Sequence, residues 1–574
     1  MDLAALRDSL REPDFDALSV EELRTYVGVL LEGFVTLFDR QLELELRLKT
    51  QEARIRELEA ENRRLKGLPD PPDRSSGATG GSRPPRNRNT SSERERKKPR
   101  PRRREKASKN GLLEPNETRR VDVDRRTLPA DAVPKGYRRV VKQDLLIQVR
   151  VVEMLLARYY SPSERKTYQA PAPQGWEGQF GPVIKALILT LGYGQNQSHA
   201  PIHELLTALG VKISTGKVCA VLVGLRKDFE AERRAVFQAG LESSPWQQTD
   251  MTPTGVNGRP ETCQVIGNPT YTHFETGPGH DRSSVVRLLR AGTPDAYLLD
   301  EETLELLRAH RWSRKQLERL RPYGEPYLRS REVLRRKIRC VSLLLNEEQQ
   351  AEFWACALLA GYRGDREVTR VPCLLTDDAA LYYGVSRQPA LCWIHELRHF
   401  KELQPRYAHH ARQVERVLRQ AWQLYRELEA YRTSPDPSTA AQHRARFDQV
   451  FGQEVTFPEL QARLQLTRAK KERLLRVLDH PEVPLHNNEM ELGARKRVRK
   501  RDVSFGPRSR EGAKAWDIFQ GLSATTTKLG VSFYEYLLDR ITGGGKIPPL
   551  GELVRGKARE LGLGRTWTTS STAY

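Results

Sequence analysis

The chain has 574 residues, enough for roughly three or four domains, and carries 96 Lys and Arg against 74 Asp and Glu, a net charge of +22. A balance that basic points to a polyanionic partner, with DNA or RNA the default. The six cysteines (Cys219, Cys263, Cys340, Cys356, Cys373, Cys392) form no C-x-x-C pair, which argues against a zinc ribbon and a disulfide framework and suits a reducing cytoplasm. The acidic, polar N-terminus does not read as a signal peptide, and apolar runs such as 218–225 are too short to span a bilayer.

In chain order, the first expected element is a coiled coil over 1–66. Leu30, Phe34, Leu37, Gln41, Leu44, Leu48, Gln51, Ile55, Leu58, Asn62 and Leu65 follow a four-three alternation that puts them on one seam of a long helix. Asn62 falls on an a-type position, where a buried Asn fixes register and dimer state. Self-association fits this pattern better than one amphipathic helix on its own core. Residues 67–118 are Pro, Gly, Ser and Arg with little to bury, and read as a disordered linker. Its segment 83–106 holds twelve basic and three acidic residues, including Arg100, Arg102, Arg103 and Arg104. Such a tether neutralises phosphates without reading sequence.

A DNA-binding region is expected over 119–240. Residues 139–153 alternate enough to suggest strands, while 182–192 and 202–209 look helical. Residues 198–222 have helix-turn-helix form: one helix ends near Gly210, and Ser214 can cap a second from about Thr215, with Lys212 and Lys217 facing phosphates. Three strands follow within 246–276, with Asn257-Gly258 a hairpin turn, and a further strand covers 371–375. The core is thus expected over 241–392, interrupted by a largely helical insertion at about 282–366. A second helical block covers 393–484, and 485–574 returns to the core and ends in a tail with a Gly-Pro-rich break near 543–549.

Three acidic positions stand out: Asp250 at the end of the first strand, Asp377 with Asp378 directly after the fourth, and Glu489 with Glu491 at the start of a helix. Taken singly, such an Asp is more often a turn former and such a Glu a solvated face. Together they differ. Two strand-end aspartates and a helix glutamate meeting at one point repel one another unless cations neutralise them, and hard oxygen ligands select Mg²⁺ or Mn²⁺. Two such ions about 4 Å apart clamp the attacking and leaving oxygens of phosphoryl transfer. Glu491 is followed by Arg495, Lys496, Arg497, Arg499, Lys500 and Arg501, a basic run suited to a phosphate backbone.

The segments Asp250-Met251-Thr252-Pro253, Leu375-Thr376-Asp377, Cys392-Trp393-Ile394-His395-Glu396-Leu397-Arg398-His399-Phe400 and Asn487-Asn488-Glu489-Met490-Glu491 resemble the transposases of insertion-sequence family 66, as a divergent branch. The resemblance covers about 246–540. Leu492 stands where the family has Arg, His486 where it has Asp, and no cysteine-rich module precedes the helix-turn-helix. It implies an α/β fold with an RNase H-like (retroviral integrase-type) catalytic core, helical insertions, a preceding helix-turn-helix region and an N-terminal coiled coil. It implies a DDE transposase that cleaves and joins DNA with two Mg²⁺ or Mn²⁺ ions held by Asp250, Asp377 and Glu491, with Asp378 and Glu489 as the lesser candidates. Trp393, His395 and Arg398 are further candidates for contact with DNA. Implied partners are the element's terminal inverted repeats and target DNA, a second copy or more of this chain, and small accessory proteins, in a bacterial cytoplasm at the nucleoid and without a membrane. Two other functions are weighed: a catalytically inactive, transposase-derived regulator, and a zinc metalloprotease through the H-E-x-x-H at 395–399.

Overall fold

A computed structural model describes residues 113–129, 131–342 and 345–567. The expected coiled coil and most of the basic linker, including Arg100, Arg102, Arg103 and Arg104, lie outside the described residues.

The strands expected at 139–153 do not form; that stretch pairs with no other strand among the described residues, and Leu145, Leu146 and Val151 stay exposed. Alternation supplies strand propensity, but a ladder needs a neighbour to take the backbone donors. The first paired strands come just afterwards, β1 (Arg158–Ser161) and β2 (Lys166–Gln169), an antiparallel hairpin. Helices α1 (Pro182–Leu189), α2 (His199–Ala208) and α3 (Thr215–Gly224) follow, and α1 runs on into one π-helical turn at Thr190–Gly194. Ser214 caps α3 as its position foretold, its Oγ accepting from the Lys217 amide at 3.3 Å. Lys212 is exposed and Lys217 half-buried. Helix α4 (Arg226–Glu242) then leads into the sheet.

Three strands, β3 (Trp246–Val256), β4 (Arg259–Asn268) and β5 (Tyr271–Gly277), form an antiparallel meander. Asn257 and Gly258 turn the first hairpin with φ of 52° and 75°, the left-handed pair that a two-residue turn demands. After an insertion, β8 (Cys373–Thr376) adds parallel to β3, and the short β9 (Ala390–Leu391) adds parallel to β8. The sheet order is β5-β4-β3-β8-β9.

The first insertion is less purely helical than expected. Helices α5 (Arg282–Leu289), α6 (Glu301–Ala309), α7 (Arg314–Leu320), α8 (Arg331–Lys337), α9 (Arg339–Ser342) and α10 (Glu347–Gly364) surround a two-stranded pair, β6 (Tyr297–Leu299) with β7 (Glu325–Arg329). The second insertion is all helical: α11 (Trp393–Glu402), α12 (Ala408–Thr433), α13 (Pro437–Phe451), α14 (Pro458–Ala469), α15 (Lys471–Leu474) and α16 (Arg476–Asp479). It has its own core, in which Trp393, Phe400, Val417, Leu424, Phe447 and Leu460 are buried together.

The C-terminal part returns to the sheet as α17 (Asn488–Ser504), α18 (Arg510–Leu529) and α19 (Phe533–Thr542). Beyond the Gly-Pro break a further helix, α20 (Leu550–Leu561), was not anticipated; it buries Val554 and Ala558. Both faces of the sheet are covered. Cys263, Val265 and Phe274 meet Met490 and Ala494 of α17, whereas Ile266 and Tyr271 join the core built with α4 and α18. Among the described residues no helix is long and apolar enough to cross a membrane.

Candidate active site

Asp250 is not at a strand end. The β3–β4 hairpin continues six residues past it, so Asp250 sits mid-strand opposite Val265. The register explains its neighbour: β3 pairs Gln248 with Leu375, so two residues further along each parallel strand Asp250 and Asp377 lie side by side. Beyond Thr376, β8 ends, and Asp377 caps the turn by accepting from the Ala379 amide at 3.2 Å.

Glu491 arrives from the first turn of α17, where the helix dipole favours a carboxylate. That helix can lie close to the sheet because Gly493 faces Val265; a Cβ there would come within 3.0 Å of the valine side chain. Asn487, fully buried just before the helix, fixes the start of α17. Its Nδ2 donates to the Thr249 carbonyl at 2.6 Å, and its backbone N–H donates to Cys392 Sγ at 3.4 Å. The Cys392 N–H in turn donates to Thr376 O at 2.9 Å, and the Trp393 N–H to Leu485 O at 2.9 Å. One knot of hydrogen bonds therefore ties together β3, β8, the entry to the second insertion and the start of α17.

The three acids influence one another. Burial pushes the Asp250 carboxyl up to about 7, with Asp377 and Glu491 adding to the rise, against the Met251 amide and Arg398, which lower it. His395 lies beside Glu491, Nδ1 to Oε1 3.8 Å; burial lowers its pKa, Glu491 opposes that, and Arg398 reinforces it. The buried Tyr382 lies beside Thr249 and near both aspartates. Nothing in the sequence signalled Tyr382, whereas Asn487 stood in plain view in the paired asparagines.

Neighbouring acids are occupied elsewhere. Asp378 turns away with φ of 75° and accepts from Lys470 Nζ at 2.7 Å and Arg473 Nη1 at 2.9 Å. Glu489 is held by Lys528 Nζ at 3.0 Å. Cys392 Sγ, a ring nitrogen of His395 and a Glu491 oxygen lie within 4.8 Å of one another, but burial pushes the Cys392 thiol up to about 11, so it stays protonated and a poor ligand. Asp377 and Glu491 both bear on the buried Asp250, whose raised carboxyl is what a hard divalent cation at this point would relieve.

Several expected contacts with DNA need correction. Trp393 is fully buried, its Nε1 donating to Leu474 O at 2.8 Å and its ring edge-on to Phe447, so it anchors the second insertion and has no face for a base. Arg497 is 1% exposed, paired with Asp517 and stacked over Phe274 and Trp516. Lys500 is buried over Tyr193 and Trp516, and burial pulls its pKa down to about 8. Lys496 also turns inward, to Ser523 Oγ at 3.0 Å, and burial brings it to about 8. The basic run reads as one face only when listed in order; wound at 3.6 residues per turn, it leaves Arg495 and Arg499 outside. Arg501 lies between, bonded to Pro253 O at 2.5 Å.

The H-E-x-x-H reading fails as well. Glu396 is buried and held by Arg463, Thr467 and Lys470, so it cannot activate a water. His399 lies 3.7 Å from Glu402, whereas His395 faces Glu491.

A model of the transposase IS66 family matches residues 347–515, a span that holds Asp377 and Glu491 but not Asp250. The chain is 31% identical over 337 residues, 56% of its own length, to an uncharacterized protein, y4jO, of Sinorhizobium fredii (strain NBRC 101917 / NGR234), which it covers completely. The chain belongs to the transposase IS66 family.

Proposed function

We propose that this protein is an active DDE transposase that binds the ends of its insertion sequence, cleaves them and joins them to target DNA, on an RNase H-like core. One observation carries the proposal: three carboxylates from separated parts of the chain converge with Asp250 raised to about 7 by burial and by the other two, while Asp378 and Glu489 beside them are tied to lysines. A five-stranded sheet with an antiparallel first three and a parallel last two, in the order β5-β4-β3-β8-β9, supports the RNase H-like core.

Asp250, Asp377 and Glu491 would hold two Mg²⁺ or Mn²⁺ ions, which when bound supply charge neutralisation and a more acidic attacking hydroxyl. The chain's own groups do the rest. Arg398 is one turn of α11 along from His395 and close enough to lower Asp250, a position from which it offsets charge on a scissile phosphate. His395 borders Glu491 and limits its rotamers. Arg495 and Arg499 face outward beyond Glu491; Arg499 and Leu492 line a cavity of about 680 Å³ with Gln195 and Asn196, a track for the backbone leading to the acids.

In the first step water attacks the phosphorus, the P–O3′ bond breaks, and the element keeps a 3′-hydroxyl while the flank keeps a 5′-phosphate. In the second, that hydroxyl attacks a target phosphodiester and displaces the target's 3′-oxygen, so bond count is conserved. The helix pair α2–α3, with Lys212 and Lys217, would recognise the terminal repeats. The N-terminal seam would pair two copies at the two ends, in the bacterial cytoplasm at the nucleoid, with accessory proteins as further partners.

The test is Asp377→Asn. Cleavage of an end duplex should vanish while end binding stays within about twofold of wild type, because the change removes one charge and no volume. Loss of binding and cleavage together would mark Asp377 as structural and favour the inactive regulator.

A further inference from the structure

Next to the acids, but built from other residues, the C-terminal end of β8 opens into a cavity of about 570 Å³. That size lies within the ~300–1,000 Å³ of small-ligand pockets. Thr376 forms one wall, one residue short of Asp377. Among the others are Tyr382 and Tyr383, the carboxylate Asp378, and three arginines from separate parts of the chain, Arg363, Arg387 and Arg473. Tyr383 is 46% exposed although it stands at a cavity wall, and the Arg473 guanidinium lies 5.6 Å from its ring centre. Arg473 is fixed there by Asp378 at 2.9 Å. Arg363 is held by Glu302 at 2.6 Å and by the Gly384 carbonyl. Arg387 shares Glu302 at 3.3 Å, a long contact, and its side chain is half exposed.

A flat aromatic with a guanidinium over it, in one cavity with a more loosely held arginine, suits a planar ring carrying an anionic group. That is the chemistry of a nucleotide, and stacking of this kind accepts any base. Its place decides which nucleotide. A strand that lays one phosphate on Asp377 brings the neighbouring nucleotide within reach of Thr376 and the cavity mouth. We propose that this cavity receives a single unpaired nucleotide of the DNA strand beside the scissile phosphate, its base against Tyr383 and Arg473 and its phosphate at Arg387. The proposal rests on the transposase reading above. It explains why Asp378, next to a catalytic acid, is given to Arg473 and Lys470: it positions the platform.

The experiment is a mismatch scan. Duplexes of the element's own end, each with one mismatch at successive positions around the cut, are tested for binding and Mg²⁺-dependent nicking by wild type, Tyr383→Ala and Tyr383→Phe. Unpairing costs the enzyme free energy that a mismatch refunds. Wild type and Tyr383→Phe should bind one mismatched duplex about tenfold more tightly than the paired one. Tyr383→Ala should melt within a few degrees of wild type, which shows that it is folded, and lose the preference to within about twofold. A preference that survives in Tyr383→Ala, or no preferred position while the paired duplex is bound and nicked, would overturn the proposal. Competition by free deoxynucleoside monophosphate that depends on Tyr383, without any mismatch preference, would assign the cavity to a free nucleotide and overturn it too. Failure of the wild type to nick any duplex would count against the transposase reading itself, and the mismatch preference in binding would still decide the cavity.

Discussion

Helix α17 carries two charged clusters that the sequence presents as one motif and the fold treats in opposite ways. At the N-terminal end, Glu491 joins Asp250 and Asp377, and burial, with these two like charges adding to it, raises Asp250 to about 7. Less than two turns on, Arg497 is almost fully buried, yet it is paired with Asp517 and stacked over Phe274 and Trp516. Asp517 also accepts from the Thr276 N–H at 2.9 Å, which ties α18 to β5. Buried charges that find partners hold the fold together. Buried acids set beside other acids point to a ligand.

That contrast can be broken from either end. The largest effect should come from Asp250→Asn, which should cut strand cleavage by at least about 10²–10³-fold. The same substitution should stabilise the metal-free protein above neutral pH. A carboxyl whose folded pKa is raised contributes stability that is complete below its unfolded pKa, near 3.8, and is lost as pH rises through about 7. Melting curves from pH 4 to 8 without metal should therefore fall less steeply for Asp250→Asn than for wild type, and added Mg²⁺ should raise the wild-type Tm alone at pH 8. Parallel curves would show that the acids are not crowded.

Arg497→Ala should do the reverse. Leaving Asp517 buried and unpaired should cost about 3–5 kcal/mol in denaturant unfolding. Any effect on DNA affinity should follow the loss of folded protein. Weaker DNA binding with undiminished stability would return Arg497 to the DNA face.

The smallest effect belongs to the outward pair. Arg495→Ala with Arg499→Ala should leave stability unchanged, weaken binding to end and random duplex alike, and lower the slope of log affinity against log salt by about 2. A change confined to one sequence would mean that these arginines read bases.

The chemistry was more legible than the folding around it. The Asn257-Gly258 turn located the first hairpin of the meander, and the motif acids Asp377 and Glu491 lie near enough to Asp250 to act on its carboxyl. Burial was not legible. Nothing local separates Arg497 from Arg499, because which face of a basic helix turns inward depends on α18 and on Trp516, distant in sequence. Trp393 looked equally able to stack on a base or fill a core, and Phe447 and Phe451, far along the chain, decided for the core. Residues 139–153 alternate as strands do, but among the described residues no chain segment pairs with them. Asp378 and Glu489 could be told from their neighbours only once Lys470, Arg473 and Lys528 were in place.

The most direct measurement is Mg²⁺-dependent nicking of a labelled duplex carrying the element's own end, by wild type and Glu491→Gln side by side. Specific nicking by wild type, with Glu491→Gln bound to the same duplex but slower by at least about 10²-fold, is the expected result. Equal nicking by both proteins would contradict the assignment of Glu491 as the third acid and with it the convergence on which the proposed function stands.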